Sequence, residues 1–575
     1  MQSSHASLLT AALAALKQAS VSPEAGLGGP AFPSPSSLLG SDALTSAAQK
    51  FDDSVEASDA VQSNQTAWAV AVFSTHDEEP LYERYYTPDY DVGVSEVGRD
   101  SVFRMASVSK VFGVWTFLVE VGDDHFNEPI TKYVPELAAA AAAATNQTAE
   151  GVVYDDIDHV RWDEVTLGQL ASQLAGIPRD ATESDLSAEL PREVAKSLGL
   201  AALPEADIPK CGVPGLLGSC SRSEMISQLL KQHPIFPTAY SPAYSNVAYA
   251  LLSFAQEAIT GTPVSEAIST NVFAALNMTS SSYNTPPSSG GVIPTAPSGS
   301  LYSSTGDMVK AGQAILGSKT MTAAQTRRWL KPTSQTGVLG SAVGAPWEIR
   351  HLMLDGRLTQ LYTKQGDLGG YRAAFILSPD HDIGAIVFSA GPLESNSAAV
   401  RETLMNAVGS VFLPTAEAQA RAEARENFAG IYKDAGTNSS VTVAVDPSTT
   451  GLQVTSLFSR GARVIGENSP FIQMFGAGQS ARLFPSNLRT VRQKGDGTGT
   501  TFTSRLGFRA TFFNVTGDLN AVQDPGLMQW TALGAPMYGA VTLDDWVFDV
   551  GEDGKAEAVD VRMLRVKLKK EVGSQ

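Results

Sequence analysis

Cysteine and histidine are scarce in this sequence, with two and seven copies respectively among 575 residues. The histidines form no H-x-H or H-E-x-x-H pair of the kind that zinc-dependent hydrolases use, so metal-dependent hydrolysis is not favoured. No glycine-rich nucleotide-binding loop stands at a strand-to-helix junction, and the G-x-S-x-G elbow of α/β-hydrolases is missing. The sequence therefore predicts a protein that needs neither a metal nor a cofactor.

Basic residues are in the minority, with 41 Lys and Arg against 60 Asp and Glu and a net charge of -19. Nucleic acids and anionic membranes attract the opposite sign of charge, so neither is expected as a partner. No apolar run reaches the roughly 18 residues that a membrane span needs, so no span is predicted. Hydrophobic residues nevertheless make up 43 % of the chain, which is enough for a large core.

Several features bear on the cellular compartment. The apolar run 8–16 has the length of a signal-peptide core, but no Lys or Arg precedes it, so a cleaved signal and an N-terminal helix both stay open. Cys211 and Cys220 lie in a loop rich in Gly and Pro, and their spacing suits a disulfide. Glycosylation sequons stand at Asn64, Asn146, Asn277, Asn438 and Asn514. Together they favour a secreted glycoprotein, with a cytoplasmic location as the alternative.

Composition changes divide the chain into four segments. Residues 1–60 are poor in aromatics and rich in Ser, Ala and Pro, which predicts a leader and an N-terminal arm. Residues 61–412 mix strand and helix patterns, and residues 413–427 predict a charged helical linker. Residues 428–575 contain short alternating strands, which predict an all-β, barrel-like domain.

The segment 61–412 begins and ends with predicted strands. A strand is predicted over 67–74, and three consecutive strands are predicted over 358–364, 371–377 and 383–389. Helical spacing of apolar residues predicts helices between them, including one over 107–121. The pattern therefore predicts an α/β sandwich, with a sheet flanked by helices.

Ser107 and Lys110 form the only S-x-x-K in the chain, within FRMASVSKVFG. Residues three apart share one face of a helix, so the hydroxyl and the amine can meet. A serine hydroxyl is a weak nucleophile unless a neighbouring base takes its proton. A partly desolvated lysine, with a lowered pKa, can be that base. The pair predicts nucleophilic catalysis.

A second candidate group is Tyr244-Ser245-Asn246, where a Pro-containing loop enters an apolar helix. A lysine ammonium stabilises a phenolate, so Tyr244 can accept the serine proton and pass it to the leaving group. The amide of Asn246 can position the lysine and the substrate.

Lys364-Gln365-Gly366 is the third candidate group, at the end of a predicted strand. Lys364 offers a cation to a substrate carboxylate or to Tyr244, and Gly366 permits a close approach to the backbone. The backbone N–H of Asp367, together with that of Ser107, is the predicted oxyanion hole.

In this order and with these flanks, the three groups resemble those of the penicillin-binding-protein and class C β-lactamase family of serine hydrolases. The resemblance spans roughly residues 60 to 412. It implies the β-lactamase/transpeptidase-like α/β sandwich, with an antiparallel sheet. It also implies that Ser107 is the nucleophile and that Lys110 and Tyr244 transfer protons. Asn246 is then a positioning residue and Lys364 the third-motif cation. The cysteine loop and β tail are similar to those of fungal β-lactamase-like proteins.

Gln365 departs from the family pattern, because members active on penicillins usually carry Thr or Ser there. The missing hydroxyl normally helps to bind the carboxylate of a β-lactam, so a different substrate is favoured. The predicted reaction is hydrolysis of an ester, amide or lactone of a small molecule, with secondary metabolites among the candidates. The alternatives are acyl transfer from the same acyl-enzyme and a catalytically inactive binding protein of the same fold.

Overall fold

The computed structural model describes residues 27–62, 65–89, 93–146, 155–183, 185–213, 216–283, 299–393, 395–466, 469, 481–495, 500–512, 530–571 and 573. The chain forms two compact units. Of the described residues, the larger unit comprises those within 45–351 and 360–411, and the smaller unit those within 27–44, 352–359 and 412–573. Neither unit is contiguous in sequence, and the predicted boundaries near residues 60, 412 and 427 stay predictions.

The α-helices are α1 (Asp42–Glu56), α2 (Asp59–Gln62), α3 (Ser109–Glu120), α4 (Pro135–Asn146), α5 (Leu167–Ala171), α6 (Leu186–Glu189), α7 (Arg192–Ser197), α8 (Arg222–Leu229), α9 (Val247–Thr260), α10 (Val264–Ile268), α11 (Thr305–Leu316), α12 (Ala323–Trp329) and α13 (Ser397–Phe428). Many begin where the sequence supplies a capping side chain, as at Thr166, which forms a capping box with Gln169. The predicted linker 413–427 lies within α13.

The strands of the larger unit are β1 (Ala67–Ser74), β2 (Tyr82–Tyr86), β3 (Phe103–Arg104), β4 (Tyr302–Ser303), β5 (Ser334–Gln335), β6 (Ser341–Val343), β7 (Glu348–Leu354), β8 (Arg357–Leu368), β9 (Tyr371–Ser378) and β10 (Ile383–Ala390). The tip of the β7–β8 hairpin is grouped with the smaller unit. The later strands are β11 (Gly430–Asp434), β12 (Ser439–Ala444), β13 (Leu452–Ser459), β14 (Ala462–Ile465), β15 (Ala481–Gly495), β16 (Thr500–Thr511), β17 (Met537–Tyr538), β18 (Val541–Thr542), β19 (Asp545–Val550), β20 (Ala556–Val561) and β21 (Val566–Lys570).

The larger unit is built on an eight-stranded sheet with the order β2-β1-β10-β9-β8-β7-β6-β5. The early strand β1 pairs antiparallel with the late strand β10, from Ala67 opposite Ala390 to Ser74 opposite Ile383. All eight residues of β1 are buried, which explains why the strand is almost uninterruptedly apolar rather than alternating. The prediction that early and late strands complete one sheet is confirmed.

Helix α3, which carries Lys110, lies inside the larger unit. It packs against α9 and α10, and α11 packs against β1 and β10. Ten consecutive residues of α3, from Ser109 to Leu118, are buried. Because α3 is enclosed, the 3-10 turn that precedes it is held in place, and that turn packs against β9 of the sheet.

The smaller unit contains a closed barrel of eight strands, in the order β12-β11-β21-β20-β19-β16-β15-β13, closed by the pairing of β12 with β13. Its core includes the fully buried Trp546 and Tyr432. The predicted barrel-like domain is therefore confirmed. Within the alternating residues at the end of this domain, a 3-10 turn (Arg562–Leu564) and the positive φ of Arg565 separate β20 from β21.

Among the helices that the structure describes, none combines the length and the apolar character needed to cross a membrane.

Candidate active site

Ser107 lies in a 3-10 turn, Ala106–Val108, between β3 and α3. The preceding residue, Ala106, has a φ of 45°, a left-handed conformation that costs an alanine roughly 1–3 kcal/mol. This sharp turn leaves the Ser107 side chain half-buried, while Ser109 and Lys110 are fully buried in α3. The predicted meeting of Ser107 and Lys110 is thus made by a turn that continues directly into a helix.

Lys110 contacts Ser107, with 2.9 Å between its Nζ atom and the serine Oγ atom. Its ammonium position also faces the rings of Tyr244 and Tyr249, at 5.2 and 5.4 Å from their centroids. Burial, reinforced by the nearby positive charge of Lys364, holds the pKa of Lys110 well below its ordinary value of 10.5. A buried lysine with a lowered pKa is available as a neutral base.

Tyr244 reaches the same serine from a distant part of the sequence. Its hydroxyl donates to Ser107 Oγ over 2.8 Å. The loop before it is fixed to the segment after α5, because Gln173 accepts from the backbone of both Ala243 and Ser245. Hydroxyl, amine and phenol therefore meet around one oxygen atom, as the sequence predicts.

Gly366 of β8 lies directly against the nucleophile turn. A Cβ atom added to Gly366 would stand 2.3 Å from the Met105 carbonyl oxygen and 2.8 Å from the Ser107 nitrogen. Both distances are shorter than real Cβ contacts, so only glycine fits at this point. The third predicted group is thereby joined to the first.

Lys364 shares a face of β8 with Gly366, since side chains two apart point the same way. It is 1 % exposed, and its Nζ atom donates to Glu348 Oε1 over 2.5 Å and to the Gln365 carbonyl over 2.8 Å. The ammonium also stands 5.2 Å from the centroid of the Tyr244 ring. Lys364 therefore lies beside the phenol, as one of the two predicted roles requires, and is paired with a carboxylate of its own protein.

Asn246 is positioned by an acidic segment. Its Nδ2 atom donates to Asp180 Oδ1 over 2.6 Å, and its backbone N–H donates to the Arg179 carbonyl over 2.7 Å. Burial and the neighbouring Asp180 carboxylate raise the pKa of Glu183 in the same segment. The side-chain amide of Asn246 thus contacts Asp180, a partner that the sequence does not indicate.

Asp367 follows Gly366 at the end of β8, and its exposed carboxylate accepts from Arg401 over 2.8 Å. Arg372 on β9 adds an ion pair of 3.1 Å. These contacts fix the end of β8 next to the nucleophile turn.

A disulfide joins Cys211 and Cys220, as predicted. The loop that it closes packs against the segment carrying Asp180 and Glu183: a Cβ atom on Gly212 would stand 2.2 Å from the Thr182 hydroxyl. A cavity of 210 Å³ lies beside it, with Cys220 and Asn246 in its lining. The disulfide is compatible with a secretory route, which stays a prediction.

Removing the disulfide is expected to destabilise this side of the larger unit. Closing a loop of about ten residues is worth roughly 2–3 kcal/mol in the chain-entropy model. The double variant Cys211→Ser, Cys220→Ser should melt at a lower temperature in calorimetry, and reduction of the wild-type protein should reproduce the shift. An unchanged melting temperature would show that the loop is held without the bond.

The predicted sequons are only partly described. Asn277 and Asn438 are exposed. Asn64, Asn514 and the side chain of Asn146 lie outside the described residues. Glycosylation at these sites stays a prediction.

The sequence patterns miss the charged groups around the site, namely Glu348, Arg179, Asp180 and Glu183. Arg179 stands 4.8 Å from the centroid of the Tyr244 ring and 3.3 Å from Asp180. None of these residues belongs to a motif, and only their position after an amphipathic helix or at a strand start could have drawn attention to them. Within the described residues, no group of three or more His, Cys, Asp or Glu could hold a metal ion.

Comparisons with known proteins identify the family of both parts of the chain. The family model described as Beta-lactamase matches residues 51–410, and one described as Beta-lactamase-like-like, C-terminal domain, matches residues 420–572. A Beta-lactamase-like protein of Arthroderma benhamiae is 28 % identical over 69 % of this chain and 68 % of its own length. A Probable hydrolase M10 of a Phoma species is 25 % identical over 74 % of this chain and 72 % of its own length.

The solved structures that match this chain are more distant in sequence. The β-lactamase/D-alanine carboxypeptidase of Yersinia pestis, complexed with citrate, covers 65 % of this chain and 100 % of its own, with 18 % identity and a TM-score of 0.46. A class C β-lactamase covers 62 % of this chain and 96 % of its own, with 15 % identity and a TM-score of 0.44.

Proposed function

This chain belongs to the β-lactamase family, and from that premise we propose that it is an active-site serine hydrolase that forms an acyl-enzyme on Ser107. The proposed substrate is an ester, amide or lactone of a small molecule. The observation that carries the proposal is the contact of Lys110 Nζ and the Tyr244 hydroxyl with the same Ser107 Oγ atom, at 2.9 and 2.8 Å.

Acylation needs a base, and Lys110 is the proposed one. In its neutral form the amine takes the proton of Ser107 as Oγ attacks the carbonyl carbon. The phenol of Tyr244 gives its proton to the leaving oxygen or nitrogen and regains one from the Lys110 ammonium. The acyl group is then bound to Ser107, the leaving group departs protonated, and water reverses the proton path to release the acid.

The developing oxyanion needs hydrogen-bond donors, and the strand geometry favours Asp367. Alternate N–H groups of a strand point to the same side. The Gln365 N–H donates to the Glu348 side chain over 3.0 Å, on the side of β8 that faces β7. The Asp367 N–H, two residues on, therefore points to the same side. Because β7 begins at Glu348, the Asp367 N–H lies past the start of that strand. Because Gly366 lies against the nitrogen of Ser107, we assign both N–H groups to the oxyanion hole.

The proposal is tested with a fluorophosphonate probe, which reacts with activated serines. The wild-type protein should be labelled, and Ser107→Ala should not be, because the nucleophilic oxygen is gone. Ser197→Ala, a change of the same kind at an exposed serine of α7, serves as the control and should label at the wild-type rate. Labelling that survives Ser107→Ala would move the nucleophile elsewhere, and an unlabelled wild-type protein would favour a binding protein of the same fold.

A further inference from the structure

The cation of the third motif is already neutralised within the protein. Lys364 is 1 % exposed and donates to the Glu348 carboxylate over 2.5 Å, while the other oxygen of that carboxylate accepts the Gln365 N–H over 3.0 Å. The Glu348 side chain is 32 % exposed. An ammonium has three donor hydrogens, and the Gln365 carbonyl takes another of them.

The second cation near the nucleophile is paired in the same way. Arg179 is 63 % exposed and stands 3.3 Å from Asp180, whose other oxygen accepts from Asn246. Around the proton-transfer pair, the charges of Lys364 and Glu348 cancel, as do those of Arg179 and Asp180. The two cations beside Tyr244, Lys364 and Arg179, are therefore each paired with a carboxylate of the protein.

We propose that Glu348 determines specificity by restricting the site to substrates without a carboxylate beside the scissile bond. This inference rests on the proposed function. A substrate carboxylate that approached Lys364 would meet the Glu348 carboxylate at close range, and like charges a few ångströms apart repel by an amount that corresponds to about tenfold or more in affinity. Uncharged esters, amides and lactones meet no such repulsion.

The test compares two phosphonate probes that differ only in one group, a terminal carboxylate in one and its methyl ester in the other. The wild-type protein should be labelled at Ser107 about tenfold or more faster by the uncharged probe. In Glu348→Gln, which keeps the shape of the side chain and removes its charge, labelling by the carboxylate probe should rise about tenfold or more relative to the uncharged probe. Adding Lys364→Met to this variant should abolish that gain.

The control is Glu164→Gln, which changes the net charge equally at a side chain that is 56 % exposed and paired with Arg161 at 3.7 Å. It should leave the preference unchanged. Equal labelling of the wild-type protein by both probes would overturn the inference without any variant, even if Glu348→Gln fails to fold. An unchanged preference in a folded Glu348→Gln would overturn it as well. Failure of the proposed function is a separate result, namely labelling that does not depend on Ser107.

Discussion

Lys110→Met is expected to lower turnover by about 10²–10⁴-fold, the typical contribution of a general base. Methionine fills a similar volume without an amine, so Ser107 would lose the group that takes its proton. The measurement is steady-state hydrolysis of an aryl ester. Lys196→Met, the same change at an exposed lysine of α7, is the control and should be near the wild-type rate. Near-normal turnover in Lys110→Met would contradict the proton-transfer assignment.

The pH dependence gives the same lysine a second readout. Only the neutral amine accepts a proton, so wild-type turnover should fall as the pH drops below the lowered pKa of Lys110.

The stability of the protein should depend on pH for the same reason. Between the lowered pKa of Lys110 and 10.5 the unfolded chain binds more protons than the folded one, so the free energy of unfolding rises with pH. Lys110→Met should flatten this rise in thermal unfolding, and an unchanged slope would show that Lys110 titrates normally.

Gly366→Ala should lower both turnover and stability strongly. Its Cβ atom would stand 2.3 Å from the Met105 carbonyl oxygen and 2.8 Å from the Ser107 nitrogen, both of which are backbone atoms. Either β8 or the nucleophile turn must move. Overpacking of this kind costs roughly 1–3 kcal/mol of unfolding free energy, and a misplacement of about 1 Å costs about 10²-fold in turnover.

Gly337→Ala is the matched control, because a Cβ atom at Gly337 meets open space. It should retain both the melting temperature and the turnover of the wild-type protein. Turnover and thermal unfolding are measured together for both variants. If Gly366→Ala kept full activity, the close contact of β8 with the nucleophile turn would not be needed for catalysis.

The sequence predicts the residues of the proton-transfer group better than the charged residues around them. Ser107 and Lys110 are three residues apart, so local geometry brings them together, and the structure makes this contact through a 3-10 turn that runs into α3. Tyr244 could be joined to them only through a family resemblance, because its contact with Ser107 spans 137 positions. The order of the three motifs therefore predicts the contact of Tyr244 with Ser107, which local helical geometry cannot.

Glu348 shows why the charged residues around the site were missed. Its contact with Lys364 depends on the register between β7 and β8, and β7 was not predicted at all. In β7 only Ile349 is fully buried, so the strand has a weak pattern of alternating apolar residues. Charge pairs across strands follow from tertiary pairing rather than from spacing, so no pattern in the sequence identifies them. The barrel, by contrast, was predictable because its strands alternate.

The proposed reaction requires that an acyl group is bound covalently to Ser107 during turnover. Wild-type protein mixed with an aryl ester and quenched in acid within the first turnover should gain the mass of one acyl group, and peptide mapping should place that group on Ser107. Ser107→Ala treated in the same way should gain nothing. An acyl group on another residue, or steady hydrolysis by Ser107→Ala at the wild-type rate, would contradict the account.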